Sequence, residues 1–355
     1  MTRVYYVHAE KLRQYCQNAL VKIGIPDEDA YIIADSLVHA DLRGIDSHGV
    51  ARLPAYIARF RTIPWRPLKV LKDIYATVLI DAGDGPGQPA TVKGMHLAID
   101  KAKKFGAGVV GIRASNHFGA AGYFAAIAAE KNMVGIVTSN APARLAPWGG
   151  TTPLLGNNPW SIAVPSNKDY PIILDISNSV VAAGKIRIAL EKGEKIPVGW
   201  AMDAEGRPTA DPQKALDGVL LPIAGHKGYG ITLMLEILTG ILVDSGFSTG
   251  VGAIDDADRA QNMAHLLIVI DIERFATLER FKENVGRLIG TLKASKHAEG
   301  VEEIFMPGER SYRKMQERLR SGIPLLSSVV EKIEALETDF PLEKERGYER
   351  GSSQL

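Results

Sequence analysis

Apolar residues along the first part of the chain recur every three to four positions, the spacing of helices with one buried face. That spacing predicts a helix over His8–Gly24. It predicts a second over Ala30–Leu42, opened by the start signal Pro26-Asp-Glu-Asp, and a third from Ser47 to Arg61 carrying Val50, Leu53, Ile57 and Phe60. From Val70 the period shortens. β-rich runs at Ala76–Asp81, Val109–Arg113, Val134–Ser139, Trp160–Val164 and Ile172–Asp175 are separated by Gly/Pro turns, with alanine-rich helices expected at Ala90–Phe105 and Ala120–Lys131. A long apolar helix over Gly230–Val243, a strand at His265–Ile270 and a helix over Arg274–Ala294 follow. The tail, helical at Arg313–Arg320 and charged over Leu342–Arg350, is expected to fold back on the N-terminal helices, leaving Gly-Ser-Ser-Gln-Leu frayed. This alternation describes an α/β or α+β chain, without internal repeats.

With 355 residues, 46% of them apolar, the chain can bury a large core in two domains or one two-part domain. The net charge of +1 provides no global field for nucleic acid or anionic lipid, so neither nucleic acid nor membrane is an expected partner. The single cysteine, Cys16, excludes an intramolecular disulfide and a thiolate cluster. The start has no apolar leader-like stretch, and the greasiest run, Tyr229 to Val243, is interrupted by Glu236. A cytoplasmic protein is therefore expected. Glycine, with 35 residues, exceeds the usual ~7%, as where backbone approaches backbone or ligand.

Some familiar motifs fail on context. Gly106-Ala-Gly108-Val-Val-Gly111 matches G-x-G-x-x-G, but a helix precedes it and a strand follows, the reverse of the order that seats a pyrophosphate on a helix N-terminus. It reads as a helix cap and turn. Gly225-His-Lys-Gly lacks the upstream glycine and the hydroxyl residue of a phosphate-binding loop. No H-x-x-x-H pair occurs, and Asp255-Asp-Ala-Asp258 lacks the glycine and glutamate of a calcium loop, so no metal is expected.

Four polar clusters interrupt the apolar patterns. In Arg43-Gly-Ile-Asp-Ser47-His48-Gly-Val-Ala-Arg52-Leu-Pro-Ala-Tyr56, Ser47 can cap a helix on which His48, Arg52 and Tyr56 share a face. A proton-transfer group, a carboxylate clamp and a phenol are thereby aligned, although a solvated stripe would look the same. Ser115-Asn-His117-Phe-Gly-Ala-Ala-Gly122 lies between strand and helix, where a helix N-terminus would keep His117 neutral; a histidine capping its own turn is the alternative. Trp148 through Ser161 and Asp175-Ile-Ser177 place amides and hydroxyls at strand ends, where ligands bind but ordinary turns also form. Gly225-His-Lys227-Gly228-Tyr-Gly puts a lysine at a helix start, within reach of an anion or on a plain surface turn.

Taken in order, Asp41-Leu-Arg-Gly-Ile-Asp-Ser-His-Gly-Val, Asn116-His-Phe-Gly, Pro147-Trp-Gly-Gly, Gly156-Asn-Asn-Pro, Asp175-Ile-Ser, Gly184-Lys-Ile, Ile196-Pro-Val-Gly-Trp200, Thr209-Ala-Asp-Pro and Gly225-His-Lys-Gly-Tyr-Gly give the chain its resemblance. From about His8 to Gly322 it resembles the type 2 malate/L-lactate dehydrogenase family, with its sulfolactate and ureidoglycolate dehydrogenases and cyclic-imine carboxylate reductases. The resemblance implies an α+β fold with two parts. A non-Rossmann nicotinamide-binding domain with a mixed, largely antiparallel sheet would span 76–307, and a helical substrate and dimer domain would join 1–75 to 308–355.

It further implies an NAD- or NADP-dependent homodimer acting on a small 2-hydroxy or 2-oxo acid, with the active site near the subunit interface. His117 matches the proton acceptor of ureidoglycolate dehydrogenase-like members, and Ser47 with His48 the acid and relay pair of imine-reducing ones. Arg52 matches the substrate-carboxylate arginine and Asn157 a substrate contact usually held by threonine. His117, Phe118, Gly119, Ala120 and Ala121, with Ser139, Asn140, Asp175, Ile176, Ser177, Lys227 and Gly228, match cofactor positions. Tyr56 and Lys185 join the substrate candidates. Lys185 stands where the imine branch carries an acid, which favours hydroxy-acid oxidation.

The expected reaction interconverts an L-2-hydroxy acid, malate first, and its 2-oxo acid. Arg52 holds the carboxylate and a neutral histidine, His48 or His117, takes the hydroxyl proton, with a pH response near the ordinary histidine value of about 6.5. Lactate, sulfolactate and ureidoglycolate are the alternative substrates, and a non-catalytic nucleotide-binding protein the alternative class. A second substrate anion would call for another cation, Arg144 or Lys185, unless both are simply solvated. A hydrolase built on Ser47 and His48 is disfavoured, because neighbouring side chains on a helix diverge by roughly 100°.

Overall fold

The computed structural model describes residues 3–256, 259–336 and 341–346; Asp258 and the end expected to fray lie outside them. The chain opens on a short strand, β1 (Val4–Val7), before α1 (Ala9–Lys22) and α2 (Asp27–Leu42). Asp27, Glu28 and Asp29 put negative charge against the first turn of α2, where free amides favour it.

The helix expected from Ser47 to Arg61 does not form as one piece. Two 3-10 turns, Asp46–His48 and Val50–Arg52, are separated by Gly49, and only then does α3 (Leu53–Thr62) begin. Pro54 belongs in a first helical turn, since further inside its ring would clash with the carbonyl four residues back. Upstream, the Val50 amide donates to Asp41 Oδ2 at 2.8 Å, which diverts it from helical pairing.

Next come β2 (Lys69–Ile74), β3 (Thr77–Gly85), α4 (Gly87–Phe105), β4 (Ala107–Ser115), α5 (Ala121–Glu130), β5 (Met133–Ser139), β6 (Trp160–Val164) and β7 (Ile172–Ile176). A lobe of short elements follows: α6 (Ala183–Lys192), β8 (Ala201–Met202), α7 (Pro212–Asp217) and β9 (Val219–Leu220). Then α8 (His226–Glu236) leads to β10 (Met263–Asp271) and α9 (Leu278–Lys293). The long apolar helix expected over Gly230–Val243 starts earlier and widens into a π-helical turn at Ile237–Ile241. Buried Glu236, at that transition, accepts from Asn158 Nδ2 at 2.6 Å and the Ser248 amide at 2.6 Å, which explains an acid in an apolar run. α9 begins at Leu278, not Arg274, because the Thr277 side chain caps it.

Seven strands form one sheet in the order β2-β3-β4-β10-β5-β6-β7. Only β3 and β4 pair in parallel; the other neighbours are antiparallel. The fold is thus mixed α/β, with α4 and α5 covering one sheet face over Ile80, Met95, Val110, Phe124 and Leu267. The glycine run at 106–111 is used for packing. Gly106 caps α4 at φ 89°, a Cβ on Gly108 would strike the backbone of Ala98, and Gly111 leaves room for Val243. Side chains alternate along a strand, so Val110 and Ile112 face α4 while Gly111 faces the other side.

The tail returns through α10 (Glu309–Ser321), β11 (Ile323–Leu326), α11 (Ser327–Glu334) and β12 (Glu345–Arg346). β11 pairs antiparallel with β1, Val4 opposite Leu326, so the two ends of the chain share a small sheet that periodicity did not predict. Leu12, Leu37, Leu53, Ile323 and Val330 then bury one another in a second core. No helix among the described residues is long and apolar enough to cross a membrane.

Candidate functional site

β4, β5 and β7 run the same way, and their C-terminal ends meet the turns at 46–52 around a cleft of about 380 Å³. Ser47, His48 and Arg52 line it from the turns, and His117, Phe118, Gly119, Ala120 and Ala121 from the segment after β4. Asn140, Asn157, Asp175, Ile176 and Ser177 complete the predicted residues found there. Five predicted residues do not line it. Tyr56 and Ser139 are buried behind it, Gly228 is packed against Ile223 in the first turn of α8, and Lys185 and Lys227 are exposed outside it.

The helical face expected to align His48, Arg52 and Tyr56 is absent, yet the three still group together. The rings of His48 and His117 lie 5.7 Å apart, 23° from parallel. Tyr56 reaches His117 from α3, its hydroxyl 2.6 Å from Nδ1. Ser47 caps no helix; its hydroxyl lies 2.9 Å from His48 Nδ1. Arg52 Nε donates to the Ser47 carbonyl at 2.8 Å, which ties the guanidinium to the histidine turn.

Burial drives the titration of these groups. Desolvation and the Arg52 charge lower His48 to about 4. His117 lies well below the ordinary value, through burial first and then the charges of His48, Arg52 and His265. Burial and these charges, and not the helix N-terminus, account for the shift, and the Gly122 amide there is already taken, donating to Asp175 Oδ2 at 2.8 Å. Burial pushes Asp175 itself up to about 6.

Behind the cleft, buried polar groups hold the lining in place. Asp41, raised to about 8 by burial, fixes the Val50 amide, and Arg318 Nη1 donates to Asp46 Oδ1 at 2.6 Å. Arg59, fully buried, donates to Asn116 Oδ1, to the Asp256 carbonyl at 2.8 Å and to the Arg259 carbonyl at 3.0 Å. It joins α3, the segment before His117 and the loop carrying Gln261. Gln261 Oε1 in turn accepts the His117 amide at 2.7 Å. His265 bridges Ser139 and Ser115, each at 2.9 Å, and stacks on Phe118.

Sequence reasoning missed Arg187, Asp255 and Gln261, all of which line the cleft beside Arg144. Arg187 had a signal. Ala183, Gly184 and Arg187 share one face of α6 at helical spacing, whereas Lys185 lies roughly 200° away from Arg187. Asp255 and Gln261 sit in an irregular loop whose path no periodicity encodes.

The residues present fit a dinucleotide. Gly119, Ala120 and Ala121, with Ala182, Ala183 and Gly184, form walls of small side chains, and the N-terminus of α6 with Arg144 and Arg187 offers positive charge for phosphates.

Comparison with known proteins agrees with that chemistry. The family described as malate/L-lactate dehydrogenase matches residues 7–334. The malate dehydrogenase of Pyrococcus horikoshii is 40% identical over 338 residues, covering 92% of this chain and 93% of that protein. The L-sulfolactate dehydrogenase of Methanocaldococcus jannaschii is 42% identical over 304 residues, covering 85% and 88%. The crystal structure of malate dehydrogenase from Entamoeba histolytica superposes with a TM-score of 0.90 at 30% identity, covering 95% of this chain and 97% of that one. With nearly its full length matched, the chain belongs to the malate/L-lactate dehydrogenase family.

Proposed function

We propose that the protein is an NAD- or NADP-dependent dehydrogenase that interconverts a small L-2-hydroxy acid, malate first, and the corresponding 2-oxo acid. The observation that carries this reading is the grouping of two imidazoles and the Arg52 guanidinium on one cleft. When bound, the nicotinamide ring supplies the acceptor for hydride from C2.

The chain's own residues do the rest. Arg52 pairs with the substrate carboxylate and orients the C2 hydrogen. A neutral histidine takes the hydroxyl proton as the carbonyl forms, and becomes the acid in the reverse direction. Asn157 contacts the substrate, and Asp175 is suited to accept from ribose hydroxyls. In this reading 76–307 carries the cofactor outside any Rossmann crevice, and 1–75 with 308–355 carries the substrate side. A homodimer belongs to it as well. Met234, Ile241 and Leu242 leave an exposed apolar strip on α8 and its extension, whose start carries Lys227.

Sulfolactate is the second reading, because a sulfolactate dehydrogenase stands as near in sequence as a malate dehydrogenase. Following the absorbance of reduced nicotinamide with malate, lactate, sulfolactate and ureidoglycolate, each with NAD and NADP, tests all of these. No turnover with any pair would refute the dehydrogenase reading, and light scattering of a monomer would refute the dimer.

A further inference from the structure

Resting on the dehydrogenase reading, we propose that Tyr56 is a positioning residue that fixes His117 as the Nε2–H tautomer. His117 then donates a hydrogen bond to the reacting oxygen, and His48 takes the proton.

The argument starts at His117 Nδ1. Two groups converge on it: the Tyr56 hydroxyl at 2.6 Å and the Gly119 amide at 3.3 Å. An amide N–H can only donate, so Nδ1 receives it as a lone-pair nitrogen. Tyr56 has no exposed surface, and burial raises its phenol above the ordinary value, so it keeps its proton and donates to the same nitrogen. A neutral imidazole with Nδ1 accepting carries its one hydrogen on Nε2. Gln261 Oε1 holds the His117 backbone, and the ring itself is held by its two partners at Nδ1 and by stacking on His48.

His48 is arranged differently. Its Nδ1 pairs with the Ser47 hydroxyl, a group that can accept or donate, so the ring can change protonation without breaking that bond. During oxidation the C2–H bond breaks with hydride passing to oxidised nicotinamide. The O–H bond breaks with its proton passing to His48 Nε2, while the Nδ1 hydrogen of the resulting imidazolium is donated to Ser47 Oγ. His117 keeps its own proton throughout and holds the oxygen by a hydrogen bond.

The test uses the full-length protein labelled with 15N in its histidine rings, with the His117 signals identified through His117→Gln. The expected result is hydrogen on Nε2 and a bare Nδ1; hydrogen on Nδ1 overturns the proposal whether or not the protein turns over. The Tyr56 bond is the shorter of the two at Nδ1, and the Gly119 amide at 3.3 Å is left as the weaker hold. In Tyr56→Phe the Nδ1–H form should therefore appear beside the Nε2–H form, and a tautomer ratio unchanged from the parent also overturns the role given to Tyr56. Gln places an N–H near the position of Nε2 but cannot take a proton. His117→Gln should therefore keep oxidation within about tenfold of the parent, whereas His48→Gln should lose on the order of 10²-fold or more. Equal losses, or the reverse order, refute the division of roles. An Nε2–H tautomer in a protein that oxidises no hydroxy acid refutes the dehydrogenase reading instead.

Discussion

The imidazoles of His48 and His117 stack 5.7 Å apart at the mouth of β4, and each positive charge there would act against the other. Burial first, and nearby positive charge second, keep both rings neutral at neutral pH. Because burial lowers His48 to about 4, its basic form persists well below the ordinary histidine value. We expect kcat/KM for oxidation to stay level from neutral pH downward and to fall only near pH 4, by about tenfold per unit. Reduction needs the protonated ring, so its kcat/KM should rise as pH falls over the same range. An acid limb centred near 6.5, measured on the free enzyme, would show that burial does not lower the base that takes the proton.

Arg52 lines the cleft with its Nε tied to Ser47, leaving the outer guanidinium for a carboxylate. Arg52→Leu should raise the substrate KM by an amount worth ~2 kcal/mol, the lower end for a hydrogen-bonded charge pair because the side chain is only half-buried. The cofactor KM should change little. Initial-rate kinetics with each ligand varied in turn decide it, and equal effects on both would remove Arg52 from the substrate.

Arg59 touches no part of the cleft, yet three segments depend on it. Its loss leaves Asn116 and the carbonyls of Asp256 and Arg259 without their donor, and Asp84 without a cation 3.6 Å away. Arg59→Met should cost about 3–5 kcal/mol in urea denaturation. A midpoint within experimental error of the parent's would show that the network contributes nothing.

Gly49 separates the two turns, and a Cβ there would overlap the Asp41 carboxylate. Gly49→Ala should displace the Ser47–His48 turn and lower kcat by on the order of 10²-fold, with the fold retained by circular dichroism. Full activity in that variant would mean that the turn tolerates movement.

Much of the fold was legible from periodicity alone. β6 was predicted to the residue, and α4, α5, β4 and β5 within a few positions, because each has one apolar face or a short buried run. The broken helix at 46–62 was not. Its apolar spacing is helical, and what breaks it is the carboxylate of Asp41 on α2, a partner that no local pattern reveals. The π-turn after Glu236 was missed for a similar reason, since Asn158 and the Ser248 amide pull on that acid from distant segments.

The sequence by itself determined the chemistry available: two imidazoles, a guanidinium, small residues after β4, and a glycine run that could not serve as a nucleotide fingerprint. Tertiary structure decided how these groups are placed. It put Tyr56 behind His117 and not in the cleft, chose Arg187 over Lys185, and recruited Gln261 and Arg59 from loop and helix. The physical reason is range. Side-chain periodicity reports which face is buried, whereas the partner of a buried polar group is fixed only when distant segments pack and every donor must find its acceptor.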